Sequence, residues 1–209
     1  MGSFSRPSAS LSEPLDLYLH GYVSSRIMNL SRVSETGLPL CVCASKVDGL
    51  VLTLTPNSHN YNYRSAVLFG HATPVTSPEE KLWAMELITN SVVPARWQHT
   101  RLPPTPAEFQ STSILRVSIA SASAKIREGV PNDEAGDLRN EEVLDAVWTG
   151  VLPLYEQLGE PVAGPYNRVE VVPEHVSGYR EGFNGGNREY AEAAARKDAP
   201  VKREKVEGE

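Results

Sequence analysis

Hydrophobic positions along this chain fall mostly into short β-type runs, and only one helix is strongly signalled. Leu15 to His20 reads as a first strand broken at Gly21, after which Ser24 or Ser25 can cap a helix running to about Val33. Leu40 to Thr55 is the clearest β segment. Its two apolar runs flank Asp48-Gly49, the pair preferred in a tight type I′ turn, which predicts a hairpin. Leu50, Leu52 and Leu54 point one way and Val51 the other, a pattern suited to strands covered on both faces. A longer strand is expected from Tyr63 to Val75. Ser77-Pro78-Glu79-Glu80 predicts a capping box with Pro at the first helical position. The helix it opens should bury Leu82, Trp83, Leu87 and Ile88 and end near Val93-Pro94.

Beyond the Pro103 to Pro106 linker, Thr105 can cap a short helix, and residues 112 to 122 form a strand with Ile114, Val117 and Ile119 partly buried. A polar loop over roughly 127 to 142 leads to a last strand from Val147 to Tyr155. After Leu158, Gly, Pro and charge dominate; one helix is expected from Asn187 to Lys197, then a charged tail, KREKVEGE. These elements predict a mainly β fold with peripheral helices (α+β), most naturally an antiparallel barrel. Residues 1–14, rich in Ser and Pro, read as a disordered stub, 15–158 as the barrel domain and 159–209 as a carboxy-terminal extension.

Composition narrows the function. A chain of 209 residues can build a sizeable core, and its net charge of -6 without a basic stripe argues against nucleic acid. No apolar run approaches the ~20 residues that cross a bilayer. The amino terminus lacks a secretory signal, and Arg6 stands where a myristoylation motif needs Ser or Thr, so cytoplasm is the default. Cys41 and Cys43 share one face of a strand and read as small apolar core residues. The five histidines show no metal spacing, and no metal is expected. Walker, Rossmann and G-x-S-x-G motifs are missing.

Four segments could carry chemistry. In LYLHGYVSSRIMNL a helix starts at Ser-Ser-Arg, where free N–H groups favour an anion, Ser25 adds a hydroxyl and Arg26 a fork of donors. The same residues also read as an ordinary cap followed by a solvated arginine. In NSHNYNYRSAVLFGHA, Asn60, Asn62 and Ser65 could bond a heterocycle edge. Tyr61 and Tyr63 could stack on it and Arg64 could reach a phosphate oxygen; a polar loop closing the barrel end is the alternative. SASAKIREGVP places Lys125 and Arg127 just past a strand, as site cations or as solvated charges. In VWTGVLPL, Trp148 could cover a flat ring or belong to the core.

Taken in order, the LHG strand with its SR helix, the LCVCASKVDGLVLT segment, NYRSAVLFGHA, SPEEK, VPARW, SASAKIREG and VWTGVLPL resemble the pyridoxamine 5'-phosphate oxidase-like FMN-binding split barrels. The branch is the flavin-nucleotide-binding one, similar also to nitroimidazole-resistance proteins. The likeness covers about Leu15 to Leu154, and GEPVAGPYNRVEVVPEHV looks like the extension of fungal members. The resemblance implies FMN, with its phosphate at Ser25 and Arg26. It places Tyr18 to His20 beside the ribityl chain and Arg64 and Ser65 on the neighbouring strand, with Lys125 and Trp148 as further contacts; Asn62 and Tyr63 are expected at the cofactor from their own chemistry. It implies a homodimer with FMN at the interface and a small-molecule substrate. It also implies strands before Leu15 in the complete family barrel, so the barrel is expected to be incomplete at its amino-terminal end. The function expected is that of an FMN-dependent oxidoreductase; a non-catalytic flavin-binding or interaction module on the same scaffold is the alternative. No catalytic residue is assigned.

Overall fold

The computed structural model describes residues 15–199 together with Met1 and Phe4. The expected amino-terminal stub, those two residues aside, and the charged tail beyond Ala199 lie outside the described residues. Five strands form one open antiparallel sheet in the order β1-β4-β3-β2-β5. They are β1 (Leu17–Tyr22), β2 (Leu38–Leu52), β3 (Asn60–Pro74), β4 (Thr112–Arg127) and β5 (Gly150–Pro153). Helices α1 (Arg26–Val33), α2 (Pro78–Val92), α3 (Pro106–Ser111), α4 (Glu141–Ala146) and α5 (Glu174–Arg196) complete an α+β architecture. The chain divides into two compact units. The first holds Met1–Cys43, Val67–Ser123 and Val169–Tyr179; the second holds Ala44–Ala66, Ala124–Arg168 and Arg180–Glu209.

In the first unit β1 pairs with β4 from Leu17 opposite Val117 to Tyr22 opposite Thr112. Gly21 does not break the strand. It makes room, since a Cβ there would lie 3.1 Å from Met28 Cε of α1. The pleat sends alternate residues to opposite faces. Leu115 and Val117 therefore join Met28 and Ala72 in one apolar cluster, while Tyr18 and Ile114 join Ala84 and the partly buried Trp83, Leu87 and Ile88 in another. Ser77 Oγ caps α2 by accepting from the Glu80 N–H at 3.1 Å, but only this half of the expected capping box forms, and the Glu80 carboxylate accepts from Tyr18 and Arg116 instead. Leu82 is 42% exposed rather than buried. The inward stripe of α2 is Glu80, Ala84, Leu87 and Ile88, at helical spacing, and Leu82 falls outside it. Thr105 and Glu108 close the capping box of α3 in both directions.

Cys41 and Cys43 are exposed, not core residues, because their face of β2 is left uncovered. Their sulfurs lie 3.6 Å apart, as a shared strand face requires.

In the second unit the expected hairpin at Asp48-Gly49 is replaced by an unbroken strand. Tertiary contacts override the turn preference. The Asp48 carboxylate is taken by Arg64, and Gly49 pairs opposite Pro153 of β5. A Cβ at Gly49 would lie 3.0 Å from Val151 Cγ1, so the glycine serves a close strand approach. The expected polar loop after β4 runs into α4, whose cap is Asn140. β5 spans four residues, shorter than expected.

Helix α5 begins at Glu174, well before the expected Asn187, and runs through four glycines that disfavour a helix. Within the second unit, side chains of α5 hold the segment before it. Asn184 accepts from the Leu158 N–H at 2.7 Å and donates to its carbonyl at 2.9 Å, and Arg180 donates to the Gly159 carbonyl at 2.6 Å. Ala191 and Ala194 are buried. Among the described residues no helix is long and apolar enough to cross a membrane.

Candidate functional site

The first unit presents the start of α1. After β1 the chain turns, with the Ser25 N–H donating to the Tyr22 carbonyl at 2.9 Å and the Asn29 N–H to the Ser25 carbonyl at 3.0 Å. Ser25 thus occupies the cap position, yet its hydroxyl does not cap the helix. Its Oγ is buried, with no partner among the described residues. The first N–H groups of the helix have no acceptor within it. Arg26 is exposed, with no ion pair among the described residues. Arg32 is the opposite case: it donates to Asn29 Oδ1 at 2.7 Å and to the Val23 carbonyl at 2.6 Å, which fixes the turn. His20 is exposed on β1 near this turn.

Tyr18 is committed elsewhere. It is buried, packs edge-on against Trp83 and donates its hydroxyl to Glu80 Oε1 at 2.9 Å. Burial, reinforced by the Glu80 carboxylate, pushes its pKa up to about 12. Arg116 donates to the same carboxylate at 3.2 Å.

The remaining expected residues fall in the second unit. Arg64 makes two bonds to Asp48, at 2.9 and 2.8 Å, and stacks on the Tyr190 ring at 3.7 Å. The Asp48 contact raises the arginine's pKa. Asn62 is wholly buried; its Oδ1 accepts from Arg127 at 2.5 Å, and its Nδ2 has no partner among the described residues. Ser65 donates to the Lys125 carbonyl at 3.3 Å, while the Lys125 side chain is exposed. Tyr63 is half-buried beside Arg127. Trp148 is 64% exposed, its ring against Gly150.

Two recesses lie among these residues. Small side chains of three strands (Ala44 and Ser45, Ser65 and Ala66, Ala124) floor a largely apolar groove of about 310 Å³, bounded by Lys46, Arg64 and Ile126. A polar pocket of about 340 Å³ is lined by Thr53, Ser58, His59, Asn60 and Arg127 among others. The structure therefore brings the second and third expected segments together in one unit. Asp48 and Tyr190, which decide the state of Arg64, carry no local signal in the sequence. Arg127 did have one, as the partner of Lys125 in SASAKIREG. Among the described residues no group of three or more metal-ligating side chains converges.

An open antiparallel sheet flanked by helices places the chain among the split-barrel proteins. More closely, it belongs to the pyridoxamine 5'-phosphate oxidase family, whose model matches residues 5–126. Two solved structures are similar. One is described as the flavocytochrome Anf3 from Azotobacter vinelandii: 29% identical, covering 79% of this chain and 73% of that one, TM-score 0.65. The other is described as the FAD and heme binding protein from Mycobacterium smegmatis: 28% identical, covering 82% and 79%, TM-score 0.67. A comparison with curated proteins finds no match.

Proposed function

We propose that this chain is a flavin-binding protein that holds the flavin's phosphate at the start of α1 and works as an oxidoreductase on a small molecule. One observation carries the reading: among the described residues the Ser25 hydroxyl is buried without a partner, beside Arg26, which has no ion pair there, and the free N–H groups of the helix start. A phosphate oxygen fits all three, since each offers a donor. Family membership and the FAD-binding mycobacterial neighbour support the same cofactor class. FMN is the flavin the family resemblance implies, and FAD presents the same phosphate chemistry to this turn. The flavin, when bound, would supply electron transfer. The chain's own part is to bind and orient it. A homodimer is part of this proposal, and light scattering on purified protein tests it. Purified protein should be yellow, and the mass of the released flavin decides between FMN and FAD. Arg26→Ala should weaken flavin about tenfold to a hundredfold, the worth of a charge-assisted contact. Unchanged affinity would reduce the turn to a helix start. Bleaching by a nicotinamide donor separates an oxidoreductase from a binding module.

A second reading adds haem, which the mycobacterial neighbour is described as binding. In the first unit His99 donates its Nδ1–H to the Ala95 carbonyl at 2.9 Å, which leaves the Nε2 lone pair available. Its ring stacks on His175 at 3.9 Å, beside a recess of about 550 Å³. A carbonyl fixing one ring nitrogen is the usual support of an imidazole ligand. A haem absorption band that His99→Ala removes would favour this reading; its absence from protein supplied with haem would exclude it.

A further inference from the structure

We propose that the polar pocket of the second unit binds the oxyanion of a small organic ligand, a phosphate monoester or a carboxylate, with Arg127 as its charged anchor. The site goes beyond the flavin reading, which rests on the first unit. The warrant is the direction of the hydrogen bonds made by Ser58, His59, Asn60 and Arg127. Asn60 Oδ1 accepts from the Tyr61 N–H at 2.8 Å, so the acceptor of that amide is used and its NH₂ is open. His59 Nδ1 accepts from the Thr53 N–H at 3.0 Å, which puts the ring proton on Nε2 as a donor. Ser58 Oγ accepts from the Thr55 hydroxyl at 2.8 Å, leaving the Ser58 proton unused. Arg127 donates one N–H to Asn62 and forms no ion pair among the described residues. Asn62 accepts that bond, and its own amide nitrogen is buried without a partner among the described residues.

The acceptors of these side chains are thus satisfied by the protein, and what remains is a set of donors around one half-buried guanidinium. An oxyanion is the ligand that answers such a set. Burial lowers the Arg127 pKa, which an anion would reverse. Of the nearby acids, Asp133 Oδ1 accepts from the Leu54 N–H at 2.8 Å, and Glu134, which lines the pocket, is not free. A recess of about 340 Å³ exceeds what a bare phosphate fills, hence the organic ligand.

The test is calorimetric titration of the full chain with inorganic phosphate and, separately, with acetate. It is run in an Arg26→Ala background, so that the first unit's phosphate turn does not contribute. One of the two anions should bind, and the stronger names the chemistry. Arg127→Gln should weaken it at least about tenfold. Asn60→Asp, whose carboxylate can still accept from the Tyr61 N–H, should do the same by placing an acceptor in the donor set, with an unchanged melt. Asn60→Asp decides the matter even if Arg127→Gln, by stranding Asn62, unfolds the chain. No heat with either anion, or binding indifferent to Asn60→Asp, would overturn the proposal. The flavin reading is judged by flavin binding to the chain with Arg26 intact, and the anion reading by titration in the Arg26→Ala background, so failure here and failure of the flavin reading show separately.

Discussion

Arg26 and Arg64 look alike in the sequence, each beside a serine and each a candidate for the same phosphate. In the structure they are opposites. Arg26 has no carboxylate partner among the described residues, and the neighbouring Ser25 hydroxyl is equally unclaimed. Arg64 is held along one edge of its guanidinium, through Nε and Nη2, by both oxygens of Asp48, which is 2% exposed, and its face is covered by Tyr190. An arginine's availability is therefore a property of what the fold sets against it. A buried carboxylate must be paired, and Arg64 is the residue that pairs this one.

The comparison breaks most visibly at Arg64. Arg64→Ala leaves Asp48 buried and unpaired, and should cost about 3–5 kcal/mol of stability. A thermal or denaturant melt reads this directly, and an unaltered midpoint would make Arg64 as free as Arg26. Tyr18→Phe comes next. It removes a donor to the Glu80 carboxylate while Arg116 still reaches it, and should cost about 1.5 kcal/mol in the same melt. Arg26→Ala should change the melt of the flavin-free protein by less than about 0.5 kcal/mol. A large destabilisation there would mean that Arg26 has a structural partner.

The smallest effect concerns an exposed pair. The Arg101 guanidinium, with help from Thr105, holds the Glu108 carboxyl at about 2, below its ordinary 4.5. A depressed carboxylate pKa means that the unfolded chain binds the proton more readily. The contribution is present above about pH 4.5 and is lost as pH falls toward 2. Arg101→Gln should flatten that part of the stability–pH curve by slightly lowering the plateau at neutral pH, with no change at the acid end.

Much of the fold could be read locally. The β-type runs that became β1, β3 and β4 are carried by alternating apolar positions, and the starts of α2 and α3 are written in Ser77-Pro78 and Thr105-Pro106. A cap is a contact between residues three apart, so its information lies entirely within the segment. The helix start at Ser25 and Arg26 was legible for the same reason. That the Ser25 hydroxyl is left out of the cap was not.

What only the tertiary structure decided involves partners distant in the chain. Asp48-Gly49 carries the local preference of a turn, yet it lies inside a strand because Arg64 neutralises the carboxylate and β5 needs the space beside the glycine. The glycines of α5 argue against a helix, yet the helix forms with its side chains bonded to the segment around Leu158 and Gly159. Cys41 and Cys43 share a strand face, as their spacing requires, but which face the fold would cover is not a local property. Local preferences amount to about 1 kcal/mol per residue. A buried ion pair or a packed strand edge outweighs that, so position along the chain determined where elements begin, and contacts across it determined which side chains stay free to bind.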